Sequence, residues 1–235
     1  SDLVWEKRFG AVVLLSVKDV PSALSVADAE MKDQVVVEAR APRATVLGVA
    51  ADGPPELTEN KIAWLAMFND PPAYHDGEHR ARTAAPGAFD EQLNNMQLTG
   101  GMMDFAGGFR GECLHLEKPS ARGTGSVAAI YGIFKARSAA DANELVQVLT
   151  AHGLTQLAAE PGALRFTIVL PGGDMPPQFR DELTVRVVEE WATSEDRAAH
   201  QTTPHLEAAR TQFKRLVEAV SVVEYPHAVH YSKKP

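Results

Sequence analysis

The sequence predicts an α+β protein: two tandem ferredoxin-like (βαββαβ) units whose bare sheet faces close on each other as a barrel. Two observations predict it. First, a long signature occurs twice. Residues 184–205 read TVRVVEEWATSEDRAAHQTTPH and residues 61–79 read KIAWLAMFNDPPAYHDGEH. Each is a strand ending in an aromatic, then a polar turn, then a His-bearing helix, and the copies lie about 120 residues apart in a chain of 235. Second, the flanking segments repeat in the same order. GAVVLLSVKDVPSAL at 10–24 parallels VAAIYGIFKARSAAD at 127–141, RATVLGVA at 43–50 parallels ALRFTIVL at 163–170, and CLHLEK at 113–118 parallels AVHYSK at 228–233. A βαββαβ sheet carries helices on one face only, so its other face must be buried elsewhere, and a fused second unit can cover it.

The elements of the C-terminal half follow from local rules. Val127 to Lys135 reads as a strand. A helix from Ser138 to Ala159 places Leu145, Val148, Leu149 and Leu157 at helical spacing, with Ser138 as N-cap. Glu160-Pro161-Gly162 stops it. Ala163 to Leu170 and Thr184 to Trp191 read as strands separated by the loop PGGDMPPQ. Thr193 or Ser194 caps a second helix that reaches about Val220, with Pro204 inside it as a source of distortion. Val222 to Tyr231 closes the unit. The N-terminal half repeats this more loosely. QVVVEARA at 34–41 is rich in β-branched residues where a helix is expected, and Pro86-Gly87 interrupts the second helix. TGGMMDFAGGFRGE at 99–112 reads as a long loop or a lid. The units span residues 1–118 and 127–235, joined by the linker at 119–126.

Composition narrows the partners. Hydrophobic residues make up 45% of the chain, enough for a real core. A net charge of −8 and a pI of 5.5 argue against nucleic acid or an anionic membrane as partner. The apolar runs are strand-length, with neither a membrane span nor a signal-peptide pattern, so a cytoplasmic location is expected. The single cysteine, Cys113, falls in a strand and reads as buried and structural. No phosphate loop, dinucleotide fingerprint, CxxC cluster or GxSxG elbow is present.

Glu189-x-Trp191, followed by His200 and Thr203-Pro204-His205, together with AAEPGALRF at 158–166, resembles the antibiotic biosynthesis monooxygenase family. The N-terminal half has Phe68 where the C-terminal half has Trp191, Ala66 for Glu189, and His79 near the place of His200. The resemblance implies a dimeric α/β-barrel fold, here within one chain. It also implies oxidation of aromatic polyketide or quinone-like substrates by O2 in antibiotic biosynthesis. Tandem members resemble the oxygenases that cleave the B ring of angucyclinones, a subgroup associated with diffusible reduced flavin (FADH2) and hence with a flavin reductase as partner. No tightly bound cofactor and no metal are expected, and a homodimer of the fused chain is compatible with the fold. Two alternatives stay open in the same superfamily: a non-enzymatic small-molecule-binding or stress-response module, and a haem-binding or haem-degrading protein.

Oxidising a phenolic polyketide needs a dry aromatic pocket, a base and hydrogen-bond donors for the oxyanion. Histidine suits the base because its pKa moves easily. His75 and His79 share a helix face, and His200 and His205 follow the second copy of the third strand. Glu189, if buried, is an acid or base with a raised pKa. Trp64 and Trp191 are candidate walls for a flat ligand, with Phe68, Tyr131, Phe134, Met102 and Met103 as further lining residues. His115 and His230, in matched last strands, read as packing residues.

Overall fold

A computed structural model describes residues 3–16, 20–32, 43–68, 109–121, 123–172 and 181–232. His75, His79, Met102, Met103, the 34–41 segment and the glycine-rich stretch at 99–108 lie outside the described residues. The strands are β1 (Glu6–Ser16), β2 (Arg43–Gly48), β3 (Lys61–Phe68), β4 (Phe109–Glu117), β5 (Gly125–Ala136), β6 (Ala163–Val169), β7 (Thr184–Trp191) and β8 (Val217–Ser232). The helices are α1 (Val20–Lys32), the single turn α2 (Pro55–Thr58), α3 (Ala139–Ala159), α4 (Ser194–His200) and α5 (Pro204–Leu216).

The eight strands form one closed antiparallel barrel in the order β1-β3-β2-β8-β5-β7-β6-β4. Each half contributes a sheet in the ferredoxin-like order: β4-β1-β3-β2 from the first and β8-β5-β7-β6 from the second. The two-unit barrel expected from the duplication is the one observed. Its closure depends on two seams, β2 against β8 and β4 against β6, which pair the free edge strands of one unit with those of the other. No sheet edge in the barrel is left to solvent.

The seams are related by the duplication. Thr45 of β2 pairs with His230 of β8, and Thr167 of β6 pairs with His115 of β4. The same cross-strand Thr–His contact recurs in each, at 2.9 Å between Oγ1 and Nδ1. This pairing makes Thr45 the counterpart of Thr167, two residues from the match suggested by aligning RATVLGVA with ALRFTIVL. Both runs are apolar, and a two-residue slip keeps every side chain on its own face.

Alternation along each strand sorts the residues into two layers. Leu65, Met67, Cys113, Tyr131, Val188 and Tyr225 belong to the barrel interior. Ile130, Leu149, Phe166, Val187 and Trp191 belong to the layer between the second sheet and its helices. Burial pushes the Cys113 thiol up to about 12, which suits an inert interior sulfur. The interior also holds charges. Arg165 Nη1 donates to Glu190 at 2.8 Å and its Nε donates to Glu117 at 2.8 Å. Arg43 pairs with the same Glu117 at 2.7 Å. Thr45 Oγ1 donates to Glu190 at 2.5 Å, and His230 Nδ1 lies 3.1 Å from it. Burial pushes the Glu190 carboxyl up, but His230, Arg165 and the hydrogen bonds outweigh it and hold it well below the usual range. His115 is buried and its pKa lies well below the ordinary value, chiefly through desolvation.

The helices of the second unit follow their caps. Ser138 Oγ accepts from Asp141 N at the start of α3, whose buried face carries Leu145, Leu149, His152, Gln156 and Leu157. Thr193 Oγ1 accepts from Asp196 N at the start of α4. The second helix is not one distorted helix running to Val220. It breaks into α4 and α5, and β8 begins at Val217. Pro204 explains the break. Its ring would clash with the carbonyl of His200, four residues earlier, so Pro204 instead occupies the first turn of a new helix. The freed His200 carbonyl accepts from Thr203 N at 3.0 Å and Thr203 Oγ1 at 2.9 Å. At the α3–β6 turn, Gly162 is required by close approach: a β-carbon there would lie 2.1 Å from Asp196 Cγ.

Arg165→Ala leaves Glu190 and Glu117 without their shared buried cation. It is expected to cost roughly 3–5 kcal/mol in urea unfolding, the range for breaking a buried ion pair from one side. An unchanged urea midpoint would mean that the network is not holding the barrel.

Candidate functional site

The layer between the second sheet and its helices is not filled. A cavity of about 300 Å3 lies there. Its floor is the outer face of β5, with Ile130, Gly132 and Phe134, and Glu189 of β7. Its walls come from α3 (Leu149, His152), α4 (Arg197, His200), α5 (Leu206, Phe213) and β8 (Val217, Val222). Gly132 helps to open it, because a β-carbon there would lie 2.8 Å from the Phe134 ring. Phe134 and Phe213 pack with ring centroids 5.3 Å apart at the other end.

Glu189 is the carboxylate on the floor. Strand alternation aims Glu189 outward and its neighbour Glu190 into the barrel, so two adjacent glutamates experience opposite fields. Glu189 Oε2 accepts from Trp191 Nε1 and from Gln156 Nε2, each at 3.3 Å. Burial pushes its pKa up, and Arg197 and these two donors offset only part of that.

The break at Pro204 folds His200 and His205 back toward the end of α3. His200 Nδ1 lies 2.6 Å and His205 Nε2 2.7 Å from the same oxygen, Glu160 Oε1. His152 stands beside both, with ring centroids 5.4 Å from each. Burial, with His152 and His205 close by, lowers His200 to about 3. Burial, then His205, lowers His152 to about 4 against a hydrogen bond with Gln156. Burial raises Glu160, and the hydrogen bond from His205 opposes it. At neutral pH His152 and His200 are uncharged imidazoles, able to accept or donate one hydrogen bond per nitrogen.

The residues chosen from sequence separate cleanly. His200, Glu189 and Phe134 line the cavity. His205 stands behind its wall, on Glu160. Trp191 is fully buried beneath His200, with ring centroids 4.9 Å apart; it supports His200 and Glu189 and is not a lining residue. Tyr131, expected in the pocket with Phe134, points the other way: an odd number of residues separates their faces, and Tyr131 lies in the barrel interior. Trp64 and Phe68 are buried on the outer face of β3, the face opposite the barrel interior, in the other unit. Sequence reasoning missed His152, Gln156 and Glu160 as site residues. His152 and Gln156 are four apart on the buried face of α3, a signal that was present, since polar residues interrupt an apolar stripe there. Glu160 was read as part of a helix stop and of the segment that carries the family resemblance, not as a site residue.

Residues 133–212 match the family model described as "Antibiotic biosynthesis monooxygenase". That segment runs from β5 into α5 and includes Glu160, Glu189, His200 and His205, so the resemblance read from the C-terminal half is found in that half. No curated protein sequence matches the chain. Among solved structures, a "putative monooxygenase" from Lactobacillus acidophilus is 15% identical, with a TM-score of 0.64 over 94% of each chain. A "putative monooxygenase" from Fusobacterium nucleatum is 12% identical, with a TM-score of 0.62 over 97% of this chain and 99% of the other. An "anthrone oxidase-like protein" is 10% identical, with a TM-score of 0.54 over 97% and 95%. Such identities carry the fold, not the reaction. They do span both units, so the tandem arrangement is shared along the whole chain.

The two depressed histidines make a stability prediction. In the unfolded chain they titrate near 6.5; in the folded chain they resist protonation down to about 4 and about 3. As pH falls below about 6.5, the unfolded state binds protons that the folded state refuses, so stability declines. Urea midpoints are expected to drop between about pH 7 and about pH 5, and less steeply in His152→Phe. A flat profile for the unmodified chain would refute the buried neutral imidazoles.

Proposed function

We propose that this chain is an O2-dependent oxygenase of flat, electron-rich phenolic substrates of the aromatic polyketide or quinone type, held in the cavity of the second unit. The reading is supported first by Glu189, a carboxylate with a raised pKa on the floor of a cavity otherwise walled largely by Phe134, Phe213, Leu149, Leu206 and Val217. The family match over residues 133–212 supports monooxygenase-type chemistry. The cavity, at about 300 Å3, reaches the lower end of the range for small-molecule sites.

The chemistry asks for little. Glu189 takes a proton from the acidic CH2 or OH of an anthrone or hydroquinone; its raised pKa makes it a stronger base than an ordinary carboxylate. The electron-rich anion then transfers an electron to O2, and the resulting radicals combine at carbon as a peroxide. Loss of water from that peroxide leaves a carbonyl. An anthrone CH2 thus becomes C=O, one oxygen atom enters the product, the other leaves as water, and the substrate supplies both electrons. Arg197 and Gln201 on the cavity wall carry N–H groups that offer hydrogen bonds to the oxyanion. The apolar walls pack against the faces of the rings, and the cavity opens to solvent beside Val220 and Val222. Ring cleavage of an angucyclinone draws two further electrons from a reductant, for which reduced flavin is the candidate.

The experiment is oxygen uptake with an anthrone, a naphthohydroquinone and an angucyclinone, each with and without FADH2. Turnover of at least one is expected; none consuming oxygen would overturn the reading. Glu189→Gln is expected to lower kcat about 10²–10⁴-fold, the usual worth of a general base. The acid limb of kcat/KM should lie above the ordinary glutamate value of about 4.3 and vanish in that variant. Phe134→Ala should act mainly on KM.

A further inference from the structure

We propose that Glu160, His200 and His205, with His152 beside them, form a binding site for a divalent first-row transition-metal ion, zinc being the best-suited occupant. This goes beyond the oxygenase reading and does not depend on it.

The donor set comes first. Among the described residues, Glu160, His200 and His205 offer one carboxylate oxygen and two imidazole nitrogens that all lie within 4.8 Å of one another. Two imidazoles and a carboxylate suit zinc and its neighbours, and suit calcium or magnesium poorly, since those prefer an all-oxygen shell. Both imidazoles already aim a nitrogen at one oxygen, at 2.6 and 2.7 Å. In the metal-free protein each of those nitrogens must carry a proton to share that oxygen. When a cation binds, each proton moves to the far nitrogen of its ring and the cation accepts all three lone pairs.

The second observation is His152. It is 7% exposed, and its Nδ1 is buried with no hydrogen-bond partner among the described residues. An orphaned imidazole nitrogen in a buried site is costly unless something binds it. Its ring lies equally close to His200 and His205 but outside the three donors that reach one another, so it stands where it can accept a hydrogen bond from a water completing the shell of an ion held by Glu160, His200 and His205. Lys118, whose charge is felt by the Glu160 carboxyl, gives its Nζ hydrogen bonds to the carbonyl oxygens of Glu160 and Pro161.

The ligands come from three separate elements: the C-cap of α3, the last residue of α4 and the first turn of α5. An ion here pins together the segments on either side of the helix break. Glu160 and His205 do not line the cavity, whereas His152 and His200 do. The ion therefore sits behind the wall and sets the angle of α4 and α5, which carry Arg197 and Leu206 into the cavity.

The test uses the full chain, stripped with a chelator and titrated with Co2+, followed by Zn2+. One Co2+ per chain is expected, with the visible d–d absorption of a low-coordinate nitrogen and oxygen site, bleached when Zn2+ displaces it. Zn2+ should also raise the thermal midpoint. Glu160→Gln and His205→Ala should each weaken binding more than roughly 100-fold, since loss even of an outer-shell partner reaches that figure. His227→Ala, on an exposed stretch of β8, should bind as the unmodified chain does and controls for surface histidines. The proposal is overturned if the stripped chain takes up no Co2+, or if both ligand variants, verified as folded by circular dichroism, bind it undiminished. Because the readout is metal binding, it can fail while oxygen uptake persists, and the reverse.

Discussion

Barrel closure is the constraint from which the rest of this structure follows. A βαββαβ sheet has one bare face and two free edge strands, and neither can be left in water. Here the two halves of one chain supply each other's missing partner along β2–β8 and β4–β6. The seams have chemistry as well as hydrogen bonds. Each holds a buried Thr–His pair, and on the interior side Glu190 and Glu117 are bridged by Arg165. Arg43 from the first unit and Arg165 from the second share Glu117, at the end of β4. The charge network therefore crosses between the halves. It favours this register over a slipped one, because a shifted strand would strand a charge in the interior.

Closure also decides where a ligand can go. The interior is occupied by Tyr131, Tyr225, Met67 and the ionic network, so the unfilled space lies on the other side of the sheet, under the helices. There the Glu189–Glu190 pair shows how strand alternation separates two chemistries. One glutamate is ion-paired inside the barrel and held ionised. The other, one residue earlier, meets an apolar cavity with its pKa raised. The helix break at Pro204 adds the rest. It turns His200 into the cavity wall and His205 behind it, both against Glu160, which lies forty residues before His200 in sequence.

Much of this was legible in advance because it is local. The duplication, the strands β5, β6 and β7, the helix α3 with its Ser138 cap and the Glu-Pro-Gly stop all rest on periodicity and capping, and the structure has them where the patterns put them. Thr184 to Trp191 was placed to the residue. Pro204 was recognised as disruptive, yet a clean break into two helices differs from a distortion, and the length of β8 followed from that break. Tyr131 and Phe134 were both expected in the pocket as residues of one strand, although three residues along a strand reverse the face.

The sequence by itself determined the repeat, the two-unit barrel and the pairing of an aromatic with a carboxylate at Glu189 and Trp191, since these follow from spacing within single elements. Only the tertiary structure decided that Glu160, His152, His200 and His205 meet, that Trp191 supports the cavity instead of lining it, and that the barrel interior is ionic. Those outcomes depend on contacts between residues distant in the chain, which no local period or propensity encodes.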